Sequence, residues 1–140
     1  MPVTTKRLAR KNIEEFLVEM KGILLDANFN PERDFVFQEE RAQDDPDDEY
    51  TNANTMLALD YDDEDIIEEL KTLTVEEYYE SMVDTVSKDL SFWHIFGRKI
   101  KNRDIYIKVR IKRRKKGSGF VFCISFHFAR YIMTDFPYRK

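Results

Sequence analysis

The spacing of apolar residues changes once along the chain, after Leu90, and this change constrains the fold more than any other feature. Before it, apolar residues recur every three to five positions, as in amphipathic helices. After it, apolar and polar residues alternate, as in half-buried strands. The alternation predicts three strands: Ser91–Ile100, Asp104–Lys112 and Phe120–Phe128. Short polar turns separate them, so we expect an antiparallel meander. Helices followed by strands indicate an α+β fold, with N-terminal helices packed on one face of a small antiparallel sheet.

The length and apolar content favour one domain. The 140 residues are 42% hydrophobic, which is enough for a single core. Within residues 1–140 we distinguish an N-terminal helix and short strand (1–38), an acidic loop (39–50), helices (51–90), and an antiparallel sheet with a C-terminal tail (91–140). The first helix is predicted from Thr5 to about Asn28, and the short strand over Asp34–Gln38.

Residues typical of helix N-termini predict further helices after the acidic loop. Thr51–Leu59 has apolar residues at helical spacing. Asp62 and Asp63 are natural N-caps for the stretch DEDIIEELKT. Thr74 and Glu77 have the spacing of a capping box, which predicts a helix over VEEYYESM.

Several classes of protein are excluded by what the sequence lacks. No run approaches the roughly 18 apolar residues of a membrane-spanning helix, and no apolar stretch follows the N-terminal charges, so we expect a cytoplasmic protein without membrane contact. The single cysteine, Cys123, excludes an internal disulfide or a thiolate metal cage. Asp60, Asp62 and Glu64 have the spacing of a calcium loop, but Asp65 stands where that loop needs glycine. We expect no metal and no cofactor.

The net charge of −4 conceals two electrically opposite halves. Residues 1–90 hold 9 Lys+Arg against 25 Asp+Glu, a balance of −16, while residues 91–140 hold 14 against 2, a balance of +12. Such a division is typical of a polyanion-binding half or of electrostatic complementarity within the molecule. A mixed, solvated surface is the plainer alternative.

Strand alternation also predicts which side chains share a face. The apolar parity of the last strand is assigned to the core: Phe120, Phe122, Ile124, Phe126 and Phe128. The apolar parity of the middle strand joins it: Ile105, Ile107, Val109 and Ile111. The opposite, open face then carries polar groups from both strands: Tyr106, Lys108, Arg110, Lys112, Ser125 and His127. Spacing does not settle the face of His94, which we expect beside Tyr106.

Imidazole, phenol and clustered cations are the groups that metal-free RNA cleavage requires. A base removes the 2′-hydroxyl proton, an acid protonates the leaving 5′-oxygen, and cations stabilise the charge on phosphorus. The candidate catalytic residues are His127, Tyr106, His94, Lys108 and Arg110. The candidate RNA-binding residues are Lys112, Arg113, Arg114, Lys115 and Lys116. The plainer alternatives are a structural role for each histidine and a solubilising role for the cations.

Short motifs over roughly residues 50–140 resemble one protein family. In chain order they are LTVEEYYESM, FWHIFG, DIYIKVRI, CISFHFARY and FPYRK. This order resembles the MqsR toxins of bacterial toxin–antitoxin systems. The resemblance implies a RelE-like α+β fold and a metal-independent endoribonuclease that cleaves mRNA and is neutralised by an antitoxin protein. The family's functional positions fall on Glu80, His94, Tyr106 and His127. Only the tyrosine is preserved, and Glu80 stands where the better-studied branch has lysine.

Three hypotheses follow. The first is an mRNA-cleaving toxin acting through histidine and tyrosine acid–base chemistry on the basic sheet face. The second, motivated by Glu80, is a non-catalytic nucleic-acid-binding or protein-binding module that kept the fold. A third is that loop 39–50 folds over the basic face and mimics a phosphate backbone; its alternative is a disordered connector.

Overall fold

The computed structural model describes residues 4–83, 92–116 and 119–139. The helices are α1 (Arg10–Leu24), α2 (Pro31–Asp34), α3 (Asn52–Leu59) and α4 (Asp63–Lys71). The strands are β1 (Thr4–Lys6), β2 (Phe35–Phe37), β3 (Tyr78–Val83), β4 (Phe92–Ile100), β5 (Arg103–Lys112) and β6 (Phe120–Phe128). The predicted strand start at Ser91 and the turn residues Gly117 and Ser118 lie outside the described residues. No helix in the described ranges is both long and apolar enough to cross a membrane.

The strands form one six-stranded sheet in the order β1-β3-β4-β5-β6-β2. All neighbours pair antiparallel except β2, which runs parallel to β6. The predicted α+β class and the antiparallel β4-β5-β6 meander are therefore confirmed. The strand predicted at Asp34–Gln38 is also present, as β2 at the sheet edge.

The helix predicted over VEEYYESM is wrong. Thr74 and Glu77 do form the expected capping box, but it starts only one 3₁₀ turn, Val75–Glu77. The chain then enters β3, which pairs with β1 on one side and β4 on the other. Strand pairing on both sides overrides a local helix-start signal, because strand preference is set mainly by neighbours and burial.

Helices α1 and α4 bury apolar residues against one face of the sheet. The buried residues of α1 recur at the predicted helical spacing: Ile13, Leu17, Met20 and Leu24. They share a core with Phe96 and Ile107, which are fully buried on β4 and β5. Helix α1 begins at Arg10 rather than near Thr5, because Thr4–Lys6 is taken up by β1.

A β-bulge divides β6 into two halves with opposite parity. Lys108 lies opposite Ser125 whereas Val109 lies opposite Cys123, so Ile124 is an extra residue in the ladder. The buried apolar residues are accordingly Val121 and Cys123 before the bulge and Phe126 and Phe128 after it. The core prediction is right for Phe126 and Phe128. It is wrong for the residues that strict alternation placed inside before the bulge: Phe120, Phe122 and Ile124.

Helix α3 covers the edge of β6 beyond the point where β2 ends. The Asn52 side chain donates to the Ile124 carbonyl at 2.9 Å and accepts from the Phe126 amide at 3.0 Å. The Thr55 hydroxyl accepts from the Phe128 amide at 3.1 Å. These side chains replace the missing strand neighbour and leave that stretch of edge closed to another chain.

Candidate functional site

A cleft of about 400 Å³ opens on the sheet face that the helices leave uncovered. Strands β5 and β6 form its floor, and loop 39–50 and the segment after β6 contribute its walls. The lining residues are Arg41, Tyr79, Tyr106, Lys108, Ser125, His127, Ala129, Arg130, Tyr131, Ile132 and Met133. The structure therefore brings together Tyr106, Lys108 and His127, three of the five predicted catalytic residues.

Tyr106 and His127 are register partners on β5 and β6, and their rings stack. The centroids lie 5.1 Å apart with an interplanar angle of 13°. The His127 Nδ1 lies 2.9 Å from the Phe128 carbonyl oxygen. Because a carbonyl only accepts, Nδ1 carries a proton and donates it to this bond. The neutral ring therefore keeps its lone pair on Nε2, the atom that can act as a base.

Burial shifts the pKa values of His127 and Tyr106 in opposite directions. It lowers the pKa of His127, and the charges of Arg41 and Arg130 lower it further, while the Phe128 carbonyl and Asp48 oppose the shift. Burial, together with the charge of Glu80, raises the pKa of Tyr106 to about 12. At neutral pH the cleft therefore holds a neutral imidazole beside a protonated phenol.

Lys108 lies next to this pair, opposite Ser125. Burial lowers its pKa, and Arg41 lowers it further, so its ammonium group is a better proton donor and a more weakly solvated cation than that of an ordinary lysine. Glu80 is on the same open face. It pairs with Ile95 of β4, and Ile95 pairs in turn with Lys108. Its carboxylate raises the pKa values of Tyr106 and Lys108, so it is electrically coupled to the site.

The expectation that His94 shares the open face is wrong. His94 pairs with core residue Val109, and its ring centroid lies 4.3 Å from that of Phe16 on α1. Its Nδ1 is 2.8 Å from the Ser81 hydroxyl, and burial lowers its pKa to about 4. The β4 residues of the other parity, which include Trp93, lie on the open face instead. His94 is therefore separated from the cleft by the sheet.

The remaining predicted cations lie beyond the cleft lining. Arg110 is on the open face but is buried against Trp93, with its guanidinium 4.4 Å from a ring centroid. The Lys112 ammonium lies 5.7 Å from the centroid of Phe122. Arg110 thus covers Trp93 of β4, and Lys112 covers Phe122, which the bulge in β6 turns outward.

The basic run after β5 is partly neutralised by the helices. Arg113 forms a bidentate ion pair with Glu19 of α1. Arg114 contacts the buried carboxylate of Asp34. Lys115 and Lys116 are exposed. Of the predicted RNA-binding residues, the two terminal lysines are thus the most accessible to a phosphate backbone.

None of the residues that form the two walls of the cleft was among the predicted site residues. Arg41 reaches the floor and donates to the Ile124 carbonyl at 2.6 Å and to the Ser125 hydroxyl at 3.2 Å. It is the single cation in the acidic stretch 39–50, and that isolation was the available signal. The opposite wall, Arg130–Met133, carries no alternation and gave no signal.

Among the described residues, two of the seven acidic side chains of loop 39–50 form ion pairs, and both partners lie outside the predicted RNA-binding run. Asp48 binds Arg130, and Glu49 binds Arg103 at 2.7 Å. In the described part of the chain, no three His, Cys, Asp or Glu side chains are grouped so that they could hold a metal ion.

Fold and site together define a class: an α+β protein whose open sheet face holds a cation-lined cleft around a stacked imidazole and phenol. Residues 39–128 match the family described as motility quorum-sensing regulator, toxin of MqsA. The chain belongs to this MqsR toxin family, the toxins of a toxin–antitoxin system, which confirms the resemblance in its motifs. The match runs from the acidic loop to the end of β6, so it includes Arg41 and His127 but not the wall after β6. Neither a search of curated proteins nor a search of solved structures found a match.

Proposed function

We propose that this toxin is a metal-independent endoribonuclease that cleaves mRNA in the cytoplasm. The observation that carries the proposal is the Tyr106–His127 stack on the floor of the cation-lined cleft. It supplies a base and an acid at adjacent register positions, on the face where a polyanion has access. Membership of the MqsR family supports the biological role, since the family is a toxin family.

The cleavage step uses the protonation states that burial favours. Nε2 of His127 removes the 2′-hydroxyl proton, and the 2′-oxygen forms a bond to phosphorus while the bond to the 5′-oxygen breaks. Tyr106 protonates the departing 5′-oxygen. The products are a 2′,3′-cyclic phosphate and a 5′-hydroxyl end. Proton transfer through water from the imidazolium to the phenolate then restores both groups.

Lys108 has an electrostatic role in this scheme. Its ammonium group lies beside the reacting pair and is partly desolvated, so its charge stabilises the developing negative charge on phosphorus more strongly than an exposed lysine would. We assign Lys115 and Lys116, which are exposed, to backbone contacts outside the chemistry.

The proposed partners are RNA and a cognate antitoxin protein. The family description names MqsA as the protein whose toxin it is, and we infer that an antitoxin of that kind neutralises this chain. Binding over the cleft would exclude RNA from it.

RNA cleavage in buffer containing a metal chelator tests the proposal. We expect the wild type to release fragments with 2′,3′-cyclic phosphate ends and His127→Gln to lose at least about 100-fold in rate, the usual minimum for a lost general base. His94→Gln is the matched control because its imidazole lies on the other side of the sheet. Rates are compared at equal folded fraction, measured by circular dichroism. Full activity in His127→Gln would exclude His127 from the chemistry.

The charge of Glu80 favours a second candidate function. A carboxylate coupled to Tyr106 and Lys108 opposes an incoming phosphate, which fits a binding module that has lost catalysis. Salt-sensitive RNA binding without any cleavage product would decide in its favour.

A further inference from the structure

Arg41 differs from the arginines around it in what balances its charge. Arg130 and Arg103, which contact the same loop, pair with Asp48 and Glu49. Within residues 4–83, 92–116 and 119–139, no carboxylate lies within ion-pair distance of the Arg41 guanidinium. Its two side-chain hydrogen bonds go to neutral oxygen atoms on β6. The cleft therefore contains a fixed positive charge without a fixed negative partner.

The hydrogen bonds of Arg41 hold the guanidinium in place without using all of its donors. Both acceptors, the Ile124 carbonyl and the Ser125 hydroxyl, belong to the bulged part of β6, and both bonds use the same terminal nitrogen, Nη2. A guanidinium has five N–H groups in a planar fork. In the described structure, the N–H groups on Nε and Nη1 remain to donate to a ligand in the cleft.

The charge of Arg41 also acts on each group of the proposed mechanism. It lowers the pKa values of Lys108 and His127 and opposes the rise in that of Tyr106. All three groups line the same cleft as Arg41. Two cations, Arg41 and Lys108, thus share the cleft with the stacked pair.

We propose that Arg41 is a further catalytic residue, which binds the non-bridging oxygens of the scissile phosphate and stabilises the charge they gain in the transition state. This inference rests on the proposed function. A guanidinium fork matches two phosphate oxygens, and a cation already held by hydrogen bonds to β6 needs little reorganisation when the charge develops. Loop 39–50 then supplies a cation to the site, whereas its acidic residues hold the loop by pairing with Arg103 and Arg130.

Inorganic phosphate is a suitable probe because it tests anion binding separately from cleavage. Phosphate affinity and the His127 titration are measured by nuclear magnetic resonance in wild type and Arg41→Gln. We expect Arg41→Gln to weaken phosphate binding at least about tenfold, to raise the pKa of His127 because a neighbouring cation is lost, and to lower kcat for RNA by about 10²–10³-fold. Arg41→Lys keeps the charge but not the fork, so it should restore the His127 titration and only part of the rate.

Arg103→Gln is the matched control. It removes a cation that pairs with Glu49 in the same loop but does not line the cleft, so phosphate affinity and the His127 pKa should stay at wild-type values. Equal losses in Arg103→Gln and Arg41→Gln would overturn the proposal, because they would show an effect of loop position. Unchanged phosphate affinity or an unchanged cleavage rate in Arg41→Gln would also overturn it. Arg41-dependent phosphate binding in a wild type that cleaves no RNA would refute the catalytic role and the proposed function together, and would leave an anion site.

Discussion

At the scale of single residues, burial favours the unprotonated imidazole of His127 and the protonated phenol of Tyr106. The pKa of His127 lies below its ordinary value of 6.5, and that of Tyr106 is about 12. If His127 is the base, cleavage requires its neutral form, so the rate rises with pH through a midpoint below 6.5 and is level at neutrality. A pH–rate profile of kcat/KM checks this. The acidic limb should be absent from the residual activity of His127→Gln, and its persistence there would assign the limb to another group.

Removing only the Tyr106 hydroxyl separates its chemistry from its packing. Tyr106→Phe keeps a ring to stack on His127, so we expect the unfolding temperature to change little. The hydroxyl is the proposed proton donor, and its loss should lower kcat by about 10²–10⁴-fold. Single-turnover cleavage at fixed pH measures the effect. A wild-type rate in this variant would leave only a stacking role for the residue.

The sequence predicted the position of some site residues correctly and of others not. Tyr106, Lys108 and His127 were predicted together because strand parity is a local property and the pairing of β5 with β6 follows from a short turn. His94 was misplaced because both parities of β4 contain aromatic residues, so burial was not encoded in the alternation. Arg41 could not be found in this way, since its position depends on the path of a loop.

At the scale of elements, β6 depends on α3 for the hydrogen bonds that a neighbouring strand would supply. Asn52→Ala removes the partner of the buried Phe126 amide, whereas the Ile124 carbonyl keeps its bond from Arg41. We expect a loss of about 1–3 kcal/mol in the free energy of unfolding, the usual cost of one unsatisfied buried group. Urea denaturation measures it.

The control for this variant lies on the same helix. Leu57→Ala truncates a side chain that is 77% exposed, and it should change stability by less than about 0.5 kcal/mol. Similar losses in Leu57→Ala and Asn52→Ala would show that α3 contributes through its own helical stability rather than through the edge of β6.

The elements that were mispredicted share one physical cause. Periodicity along β6 was correct on both sides of Ile124, but a bulge of one residue exchanges the faces, and no local signal marks it. In β3, the capping box was correct as local chemistry, and pairing with distant strands decided the conformation of the residues after it. Both errors lie in contacts between segments that are far apart in sequence.

At the scale of the whole molecule, the C-terminal tail crosses the sheet over Gly97. A Cβ built at Gly97 would lie 2.9 Å from Met133 Sδ and 2.9 Å from Phe136 Cζ. The tail also contacts the N-terminal segment through Arg7, which donates to the Asp135 carbonyl at 2.6 Å. Since Met133 lines the cleft, the tail connects the packing at Gly97 to the shape of the site.

Gly97→Val should therefore displace the tail and alter the cleft, at the position that pairs with Tyr106. We expect faster proteolysis within residues 130–139 and a higher KM for RNA, because a substrate-facing wall is lost. Limited proteolysis with mass spectrometry locates the change. Gly22→Ala is the control: no atom lies within 4 Å of a Cβ there, and alanine favours helix α1, so this variant should be at least as stable as wild type.

The division of charge between the two halves is accompanied by ion pairs that join them. Ion pairs join the basic sheet to the acidic helical half: Arg98 with Glu69 and Glu77, Arg103 with Glu49, Arg113 with Glu19, Arg114 with Asp34, and Arg130 with Asp48. Internal complementarity, one of the three interpretations that the sequence left open, is thus present in the described structure. The cations that we propose to bind phosphate at the reacting pair, Lys108 and Arg41, are not among these pairs.

Arg98 is the most enclosed of these links, and its loss tests whether they stabilise the fold. Its guanidinium donates to Glu69 at 2.9 Å and to Glu77 at 2.8 Å, and its side chain is 15% exposed. Arg98→Ala would leave two partly buried carboxylates without a cation, which costs about 3–5 kcal/mol. The neighbouring Lys99 pairs with Asp104 at 3.5 Å and is 71% exposed, so Lys99→Ala should cost less than about 1 kcal/mol. Equal shifts in the urea midpoint for the two variants would mean that enclosure of the Arg98 pairs adds no stability, and that the charge division serves binding alone.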